Sequence, residues 1–325
     1  MALTPIDSIH ALQIQAGIAG RIAGHNFESS LAQTINNLPC PILNKPLPDY
    51  LINGDPEISI VKKGLQVLGW ESCHAVEAIA LGALATAEER KKWLEVNGMR
   101  VKACKSDILL TLYNNDFRIK ETIGVSVKQC NHKTPLNAQL YFTTARAFCE
   151  LLRSNGIPVT DAAVNALRQF CGDNGFTPKD NPADLVGRVS DTRRYFWEEI
   201  DPKGRIELEN ILTTKQHDIT RLLLQKAYIN DPFAPELLLH LTKKMPDGIP
   251  QEFALYTIDE LITLSLNYAG FEKKKYSARK GSFKDPVGIQ HDAPRFGIVQ
   301  MQRGGQAQHP EQLQFNLQAG YFYKI

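Results

Sequence analysis

An aspartate and a lysine stand about twenty residues apart in sequence that otherwise favours β-structure, Asp107 before one apolar run and Lys128 near the end of the next. A carboxylate and a backbone carbonyl can bind Mg²⁺, a hard cation that prefers oxygen ligands. A nearby ammonium group can orient water or offset charge that develops on a phosphate. These residue types predict metal-assisted hydrolysis of a phosphodiester, with Asp107 and the Val127 carbonyl as metal ligands and Lys128 as the positioning cation.

A β-hairpin would bring these residues together. Apolar side chains alternate over residues 108–112 and again over 123–127, which is the period of strands with one buried face. The polar segment 113–116 supplies the turn, because Asn and Asp tolerate the left-handed backbone of tight turns. Pairing of the two strands would place Asp107, Ser126 and Lys128 at one end of a sheet.

A single carboxylate would bind Mg²⁺ poorly, so this site requires another acid. Glu28 is the main candidate, because it lies beside a predicted apolar helix stripe and can point along the rim of the core. The alternative interpretation is an ordinary surface glutamate. Glu150, in a helical run after the hairpin, is the competing ligand, and Glu121 ranks lower because it lies in mid-strand, away from Lys128.

The chain has 325 residues, enough for one large domain or for a core with an insertion. Hydrophobic periodicity predicts helix over 9–38, in one or two segments, and the prolines of 38–56 predict an extended connection. The other predicted elements are a helix over 73–96, helix-rich sequence over 137–270, and strands over 295–302 and 312–320. We therefore predict a mixed α/β (α+β) fold with three parts: a core over 1–145, a helical insertion over 146–285, and a C-terminal β-hairpin over 286–325 that completes the core.

Composition excludes several classes of protein. Hydrophobic residues at 43% and charged residues at 22% are typical of globular chains, and no apolar run approaches the ~20 residues of a membrane helix. The six cysteines form no CxxC pair and the N-terminus resembles no secretory signal, so we expect free thiols and a cytoplasmic location. A zinc site at Cys104, Cys130 and His132 is a minor alternative, because the spacing matches no usual ligand pattern.

The order of these parts resembles a known nuclease superfamily. Glu28 in GHNFE, Asp107 in SDILL, and the Ser-Val-Lys of IGVSVKQ are similar to the PD-(D/E)xK superfamily, in particular to its type II restriction endonucleases. The segment IGVSVKQCNHKTPLNAQL is loosely similar to the enzymes that cut GGCC, which also carry an Asn-His pair after the lysine. The resemblance covers roughly residues 20–145, with a weaker similarity in the C-terminal part.

This resemblance implies a PD-(D/E)xK restriction-endonuclease-like core with a large helical insertion. It also implies Mg²⁺-dependent, site-specific cleavage of double-stranded DNA in a bacterial restriction system, with a cognate DNA methyltransferase as genetic companion. A homodimer is expected, because two-fold symmetry matches a palindromic site. Two positions depart from the pattern: Ser106 stands where a proline is usual, and Ser126 stands where an acid is common, so that Glu28 must supply the second acid.

Further polar residues suggest how DNA could be bound. Gln can pair with the adenine edge and Arg with the guanine edge, and a two-stranded ribbon fits the major groove. The loop after the lysine strand could contact the scissile strand, and a basic run over 272–284 could clamp phosphates. A solvated surface is the alternative for each of these segments. The predicted DNA-binding residues are Gln129, Asn131, His132, Lys133, Lys274, Lys275, Arg279, Lys280, Gln300, Gln302, Arg303, Gln306 and Gln308.

Two other functions remain open. One is a DNA-binding or DNA-repair protein of the same fold that does not cut, an alternative that depends on the serine at position 126. The other is a helical interaction protein in which the hairpin is plain core. The helical interaction protein explains neither an approach of Asp107 to Lys128 nor the glutamine-rich C-terminal strands, and the nuclease is the favoured hypothesis.

Overall fold

The computed structural model describes residues 5, 7–47, 49–81, 94–96, 99–101, 104–114, 118–181, 183, 194–226, 233–268, 270–275, 290–303 and 311–323. The helices in these ranges are α1 (Ser8–Asn36), α2 (Glu57–Leu68), α3 (Ala145–Ser154), α4 (Asp161–Cys171), α5 (Pro202–Thr214), α6 (Gln216–Gln225) and α7 (Ile258–Ser265). The strands are β1 (Ile42–Leu43), β2 (Leu51–Asn53), β3 (Ser72–Cys73), β4 (Ala75–Ala80), β5 (Leu94–Val96), β6 (Met99–Val101), β7 (Ile108–Tyr113), β8 (Lys120–Gln129), β9 (Ala138–Thr144), β10 (Pro235–Lys243), β11 (Glu252–Thr257), β12 (Phe271–Lys275), β13 (Gln290–Phe296), β14 (Val299–Arg303) and β15 (Gln312–Leu317). None of these helices is long and apolar enough to cross a membrane.

The chain divides into two compact units. The first lies within Met1–Leu136 and Leu224–Leu261, and the second within Asn137–Leu223 and Ile262–Ile325. Each unit has its own large β-sheet. The architecture is therefore mixed α+β, as the sequence predicts.

The first unit is built on a six-stranded sheet with the order β2-β11-β10-β8-β7-β4. Strands β4, β7 and β8 are antiparallel neighbours, β10 is parallel to β8, and β11 and β2 continue antiparallel. The predicted hairpin is confirmed as β7 and β8, with Ile108 opposite Val125 and Tyr113 opposite Lys120. Strand β8 is thus an interior strand with partners on both sides.

One face of this sheet packs against α1 and α2. Apolar side chains of the interior strands meet Leu31 and Ile35 of α1, which are almost fully buried. Helix α2 approaches closely at Gly64, where a Cβ atom would lie 2.6 Å from Cδ1 of Ile123. Burial of each such Leu or Ile contributes about 1.5–3 kcal/mol. This packing fixes the C-terminal half of α1, which carries Glu28, against the sheet.

Two segments predicted as helices are strands of this sheet. The prediction of helix over 73–96 is wrong at residues 75–80, which form β4, and at 94–96, which form β5. The helix-rich sequence over 137–270 includes β10 and β11 of this sheet, and also β9, which belongs to the sheet of the second unit. Strand β10 is buried on both faces, and a short continuous apolar run cannot be distinguished from a buried helix by periodicity. In β4 the pairing with β7 overrides the helix propensity of its alanines.

The second unit has a five-stranded antiparallel sheet with the order β12-β13-β14-β15-β9. Helices α4, α5 and α6 lie where the sequence predicts helices. The prediction that the C-terminal strands complete the sheet of the hairpin is wrong, because β14 pairs with β13 and β15, and β15 pairs with β9. Alternation reveals strand character, but the choice of partner strand depends on contacts between distant segments.

Candidate functional site

The hairpin brings Asp107 and Lys128 into direct contact. Lys128 Nζ lies 3.1 Å from Asp107 Oδ2 and donates a second hydrogen bond to the Val127 carbonyl at 2.8 Å. The same Oδ2 accepts hydrogen bonds from the Val127 amide at 2.6 Å and from Ser126 Oγ at 3.2 Å. Among the described residues, every hydrogen bond to this carboxylate ends on Oδ2, so that Oδ1 remains for another ligand.

The backbone holds Asp107 at the start of β7. Its amide donates to the Val125 carbonyl at 2.9 Å, and its carbonyl accepts from the Leu81 amide at 2.8 Å. The side chains of Asp107 and Lys128 are 25% and 15% exposed, so the ion pair is reachable from solvent but only partly screened by it. A substrate could therefore reach a charged pair whose geometry is fixed by the sheet.

Glu28, on α1, is close enough to Asp107 and Lys128 for their charges to shift its pKa. Its side chain is buried, with 7% exposure, and its Oε2 has no hydrogen-bond partner among the described residues. Burial raises the pKa of Glu28 to about 8, the negative charge of Asp107 adds to this rise, and Lys128 opposes it. An unpaired buried carboxyl oxygen carries a desolvation cost that a cation would relieve.

The end of β8 is joined to α1 close to Glu28. Gln129 Nε2 donates to the Gly24 carbonyl at 3.5 Å, one helical turn before Glu28. His25 lies on the same turn; burial and then Arg21 lower its pKa, whereas Asp107 opposes this effect. The sequence motif GHNFE includes His25 but gave no indication of a role for it.

His240 is a second residue that sequence reasoning missed. It lies opposite Lys128 in the parallel pair of β10 and β8, and it is fully buried. Burial, followed by the charge of Lys128, lowers the pKa of His240 to about 3, so the imidazole is neutral. The apolar run PELLLHLTK fits a buried strand as well as a helix, and it does not encode pairing with β8, so the sequence carries no signal that places His240 beside Lys128.

The two other candidate ligands have different surroundings. Glu150 belongs to α3 in the second unit, where it lines an open groove of about 670 Å³ together with Arg146 and Arg153. Glu121 lies opposite Leu112, toward the other end of β8 from Lys128. Of the three candidates, Glu28 is therefore the one whose pKa responds to the charge of Asp107.

The predicted DNA-binding residues of the first unit lie at the end of β8 and in the loop that follows it. Asn131, His132 and Lys133 are exposed in the loop after the strand, and the His132 carbonyl accepts from the Lys244 amide at 2.8 Å. Gln129 is half-buried and holds α1, as described above. The loop thus presents three polar side chains a few residues beyond Lys128.

The side chain of Gln300 is buried in the second unit and accepts hydrogen bonds there. It is 4% exposed, and its Oε1 accepts from Asn137 at 3.3 Å, from Gln302 at 2.7 Å and from Gln318 at 3.1 Å. Gln302 Oε1 in turn accepts from Asn316 at 3.1 Å. Gln300 Oε1 is thus occupied by three amide donors inside the second unit, so a base-reading role for Gln300 is not supported. The alternative of a solvated surface does not hold at Gln300 either, because this side chain is buried.

Arg303 is also engaged within the second unit. Its Nη1 donates to the Tyr195 carbonyl at 3.2 Å, and its guanidinium lies 5.0 Å from the ring centroid of Phe170. For Lys274 and Lys275 only the backbone, in β12, is described. The predicted residues Arg279, Lys280, Gln306 and Gln308 lie outside the described residues.

The donor set at the hairpin end is small. Within the described ranges, no group of three or more His, Cys, Asp or Glu side chains is arranged to hold a metal ion. The site has two carboxyl groups, Asp107 and Glu28, and the carbonyl of Val127. Mg²⁺ commonly binds one or two carboxylates, with water and substrate phosphate as further ligands, so these all-oxygen donors fit Mg²⁺. The sequence matches no protein-family model, and no curated protein is significantly similar to it.

Proposed function

We propose that this protein is a Mg²⁺-dependent endonuclease that hydrolyses phosphodiester bonds of double-stranded DNA. The observation that carries the proposal is the 3.1 Å contact between Lys128 Nζ and Asp107 Oδ2 at a strand end, beside the buried Glu28. Asp107, Glu28 and the Val127 carbonyl would hold the metal ion. When bound, Mg²⁺ would stabilise negative charge on the phosphate and lower the pKa of a bound water.

The residues of the chain have distinct roles in this proposal. Lys128, held by the Val127 carbonyl, orients the attacking water and stabilises charge that develops on the phosphate. The Val127 amide and Ser126 Oγ fix Asp107 Oδ2, and Oδ1 would be the oxygen that binds the metal ion. Glu28 carries a proton without the metal, and a neighbouring cation would favour its charged form.

We further propose that cleavage is site-specific, as in type II restriction endonucleases, and that the protein acts as a homodimer beside a cognate DNA methyltransferase. The support for this finer proposal is the resemblance of the three sequence motifs. The exposed loop from Asn131 to Lys133 adds to it, because a loop directly after the catalytic strand can contact the backbone or bases near the scissile bond.

The test is incubation of the purified chain with phage-sized duplex DNA, with Mg²⁺ and with a chelator. Discrete fragments that require Mg²⁺ support the endonuclease. Asp107→Ala should abolish these fragments and still retard DNA in the absence of Mg²⁺. Normal cleavage by Asp107→Ala would contradict the assignment of this site.

A non-cleaving DNA-binding or DNA-repair protein of the same fold is the second candidate. The observation that favours it is the hydroxyl of Ser126, which contacts Asp107 where an additional carboxylate would strengthen a metal site. Retardation of DNA without cleavage, at every Mg²⁺ concentration, would support this alternative over the first.

A further inference from the structure

We propose that Ser106 and Gly124 form a positioning pair that fixes Asp107. A buried serine hydroxyl that packs against a glycine thus takes the place of the proline that the resemblance predicts. This inference rests on the proposed function and concerns how the same site is held. Neither residue would touch the substrate or the metal ion.

Ser106 ties the start of β7 to the start of β10. It is 2% exposed, and its hydroxyl donates to the Phe233 carbonyl at 2.7 Å. Its own carbonyl accepts a hydrogen bond from Cys104 Sγ at 3.2 Å. Because Asp107 is the next residue, this tie restrains the backbone from which the carboxylate projects.

Gly124 supplies the space that the serine occupies. A Cβ atom at this position would clash with Ser106 Oγ and would lie 2.8 Å from the Ala234 carbonyl. The Gly124 amide donates to Glu236 Oε2 at 2.5 Å, which fixes the same point of β8 to β10. Glycine inside a strand weakens it and often marks a close approach of another group, and here that group is the serine hydroxyl.

The consequence for the site is geometric. A proline before Asp107 would restrain φ through its ring, whereas serine leaves φ free and requires another restraint. The hydroxyl provides it, and Asp107 is then held from three sides: by the Ser106 tie, by the Val125 carbonyl and by the Leu81 amide. Residues that orient a metal ligand typically change metal affinity by about 10–100-fold when they are removed.

The variants Ser106→Ala and Gly124→Ala test the pair, the first by removing the hydroxyl and the second by displacing it. The control is Thr111→Ala, which removes a buried hydroxyl within β7 whose partner, Thr122 Oγ1 at 2.8 Å, lies on β8 away from Asp107. For each folded variant, two quantities are measured: the Mg²⁺ concentration that gives half-maximal cleavage, and the Mg²⁺ concentration that gives half of the rise in melting temperature.

We expect either variant of the pair to raise both Mg²⁺ midpoints by about tenfold, and Thr111→Ala to leave them unchanged. Should either folded variant keep the wild-type midpoints, or should Thr111→Ala raise them equally, the positioning role is overturned while the endonuclease stands. If one variant of the pair does not fold, the other decides. Wild-type protein that neither cuts DNA nor gains stability with Mg²⁺ would instead overturn the proposed function.

Discussion

His240 and Lys128 lie opposite each other in the parallel strands β10 and β8, so that a fully buried imidazole stands beside the lysine of the candidate site. An ammonium group and burial both disfavour a charge on the ring. The sheet therefore keeps one positive charge, on Lys128, where two would repel. This arrangement links the stability of the first unit to pH.

The first prediction concerns this histidine. Because the pKa of His240 is lowered from 6.5 to about 3, the unfolded chain binds a proton between these values and the folded chain does not. The free energy of unfolding should therefore fall as pH decreases from 6.5 toward 3, by at most about 1.4 kcal/mol per pH unit. Urea unfolding at pH 4 to 7 should show a weaker dependence for His240→Gln, and equal slopes would contradict the buried neutral ring.

The second prediction is that Glu28 makes the free energy of unfolding depend on pH with the opposite sign. Its pKa rises from 4.5 to about 8 on folding, so between these values the folded chain holds a proton that the unfolded chain releases. The free energy of unfolding should decrease as pH rises through this window, again by at most about 1.4 kcal/mol per pH unit. Glu28→Gln should remove this decrease and gain relative stability at pH 8. It should also abolish the stabilisation by Mg²⁺, which is measured as a shift in melting temperature.

The third prediction concerns how α1 is docked. Asn36 Nδ2 donates to the Ala78 carbonyl at 3.0 Å, and Asn36 Oδ1 accepts from the Ala78 amide at 2.6 Å. Asn36→Ala leaves both groups of β4 without this partner and should reduce the free energy of unfolding by about 1–3 kcal/mol. The matched change Thr34→Ala, also at an exposed position of α1, removes only a hydrogen bond to the Ser30 carbonyl of the same helix and should cost less than about 0.5 kcal/mol. If chemical denaturation shows the same loss of unfolding free energy for Asn36→Ala and Thr34→Ala, the docking role of Asn36 is refuted.

The fourth prediction separates DNA contacts from structural amides. Lys133→Ala, in the exposed loop after β8, should weaken DNA binding and reduce the slope of log affinity against log salt by about one. Gln300→Ala should leave DNA affinity unchanged but destabilise the second unit, because three amide donors lose their shared acceptor. Binding measured at several salt concentrations, beside thermal unfolding, distinguishes the two effects. A loss of affinity in Gln300→Ala at unchanged stability would restore the base-reading interpretation.

The sequence predicts the hairpin of the candidate site better than it predicts which distant strands pair with that hairpin and which side chains are buried. Alternation and turn residues suffice for the hairpin of β7 and β8, because the two strands are close in sequence and a turn segment joins their apolar runs. The contact of Asp107 with Lys128 follows from that pairing. Strand β10 could not be predicted, because its pairing with β8 spans more than a hundred residues and its apolar run fits helix and strand equally. The burial of Gln300 depends on tertiary packing, which alternation does not encode.

The most direct test of the central claim is cleavage of duplex DNA under single-turnover conditions with saturating Mg²⁺, by Lys128→Ala and by Lys120→Ala. Lys120 begins the same strand and lies opposite Tyr113, at the end of the hairpin away from Asp107. Loss of the ammonium group beside Asp107 should slow cleavage by about 100-fold or more, while Lys120→Ala cuts at the wild-type rate. Cleavage by Lys128→Ala at the wild-type rate would contradict the account.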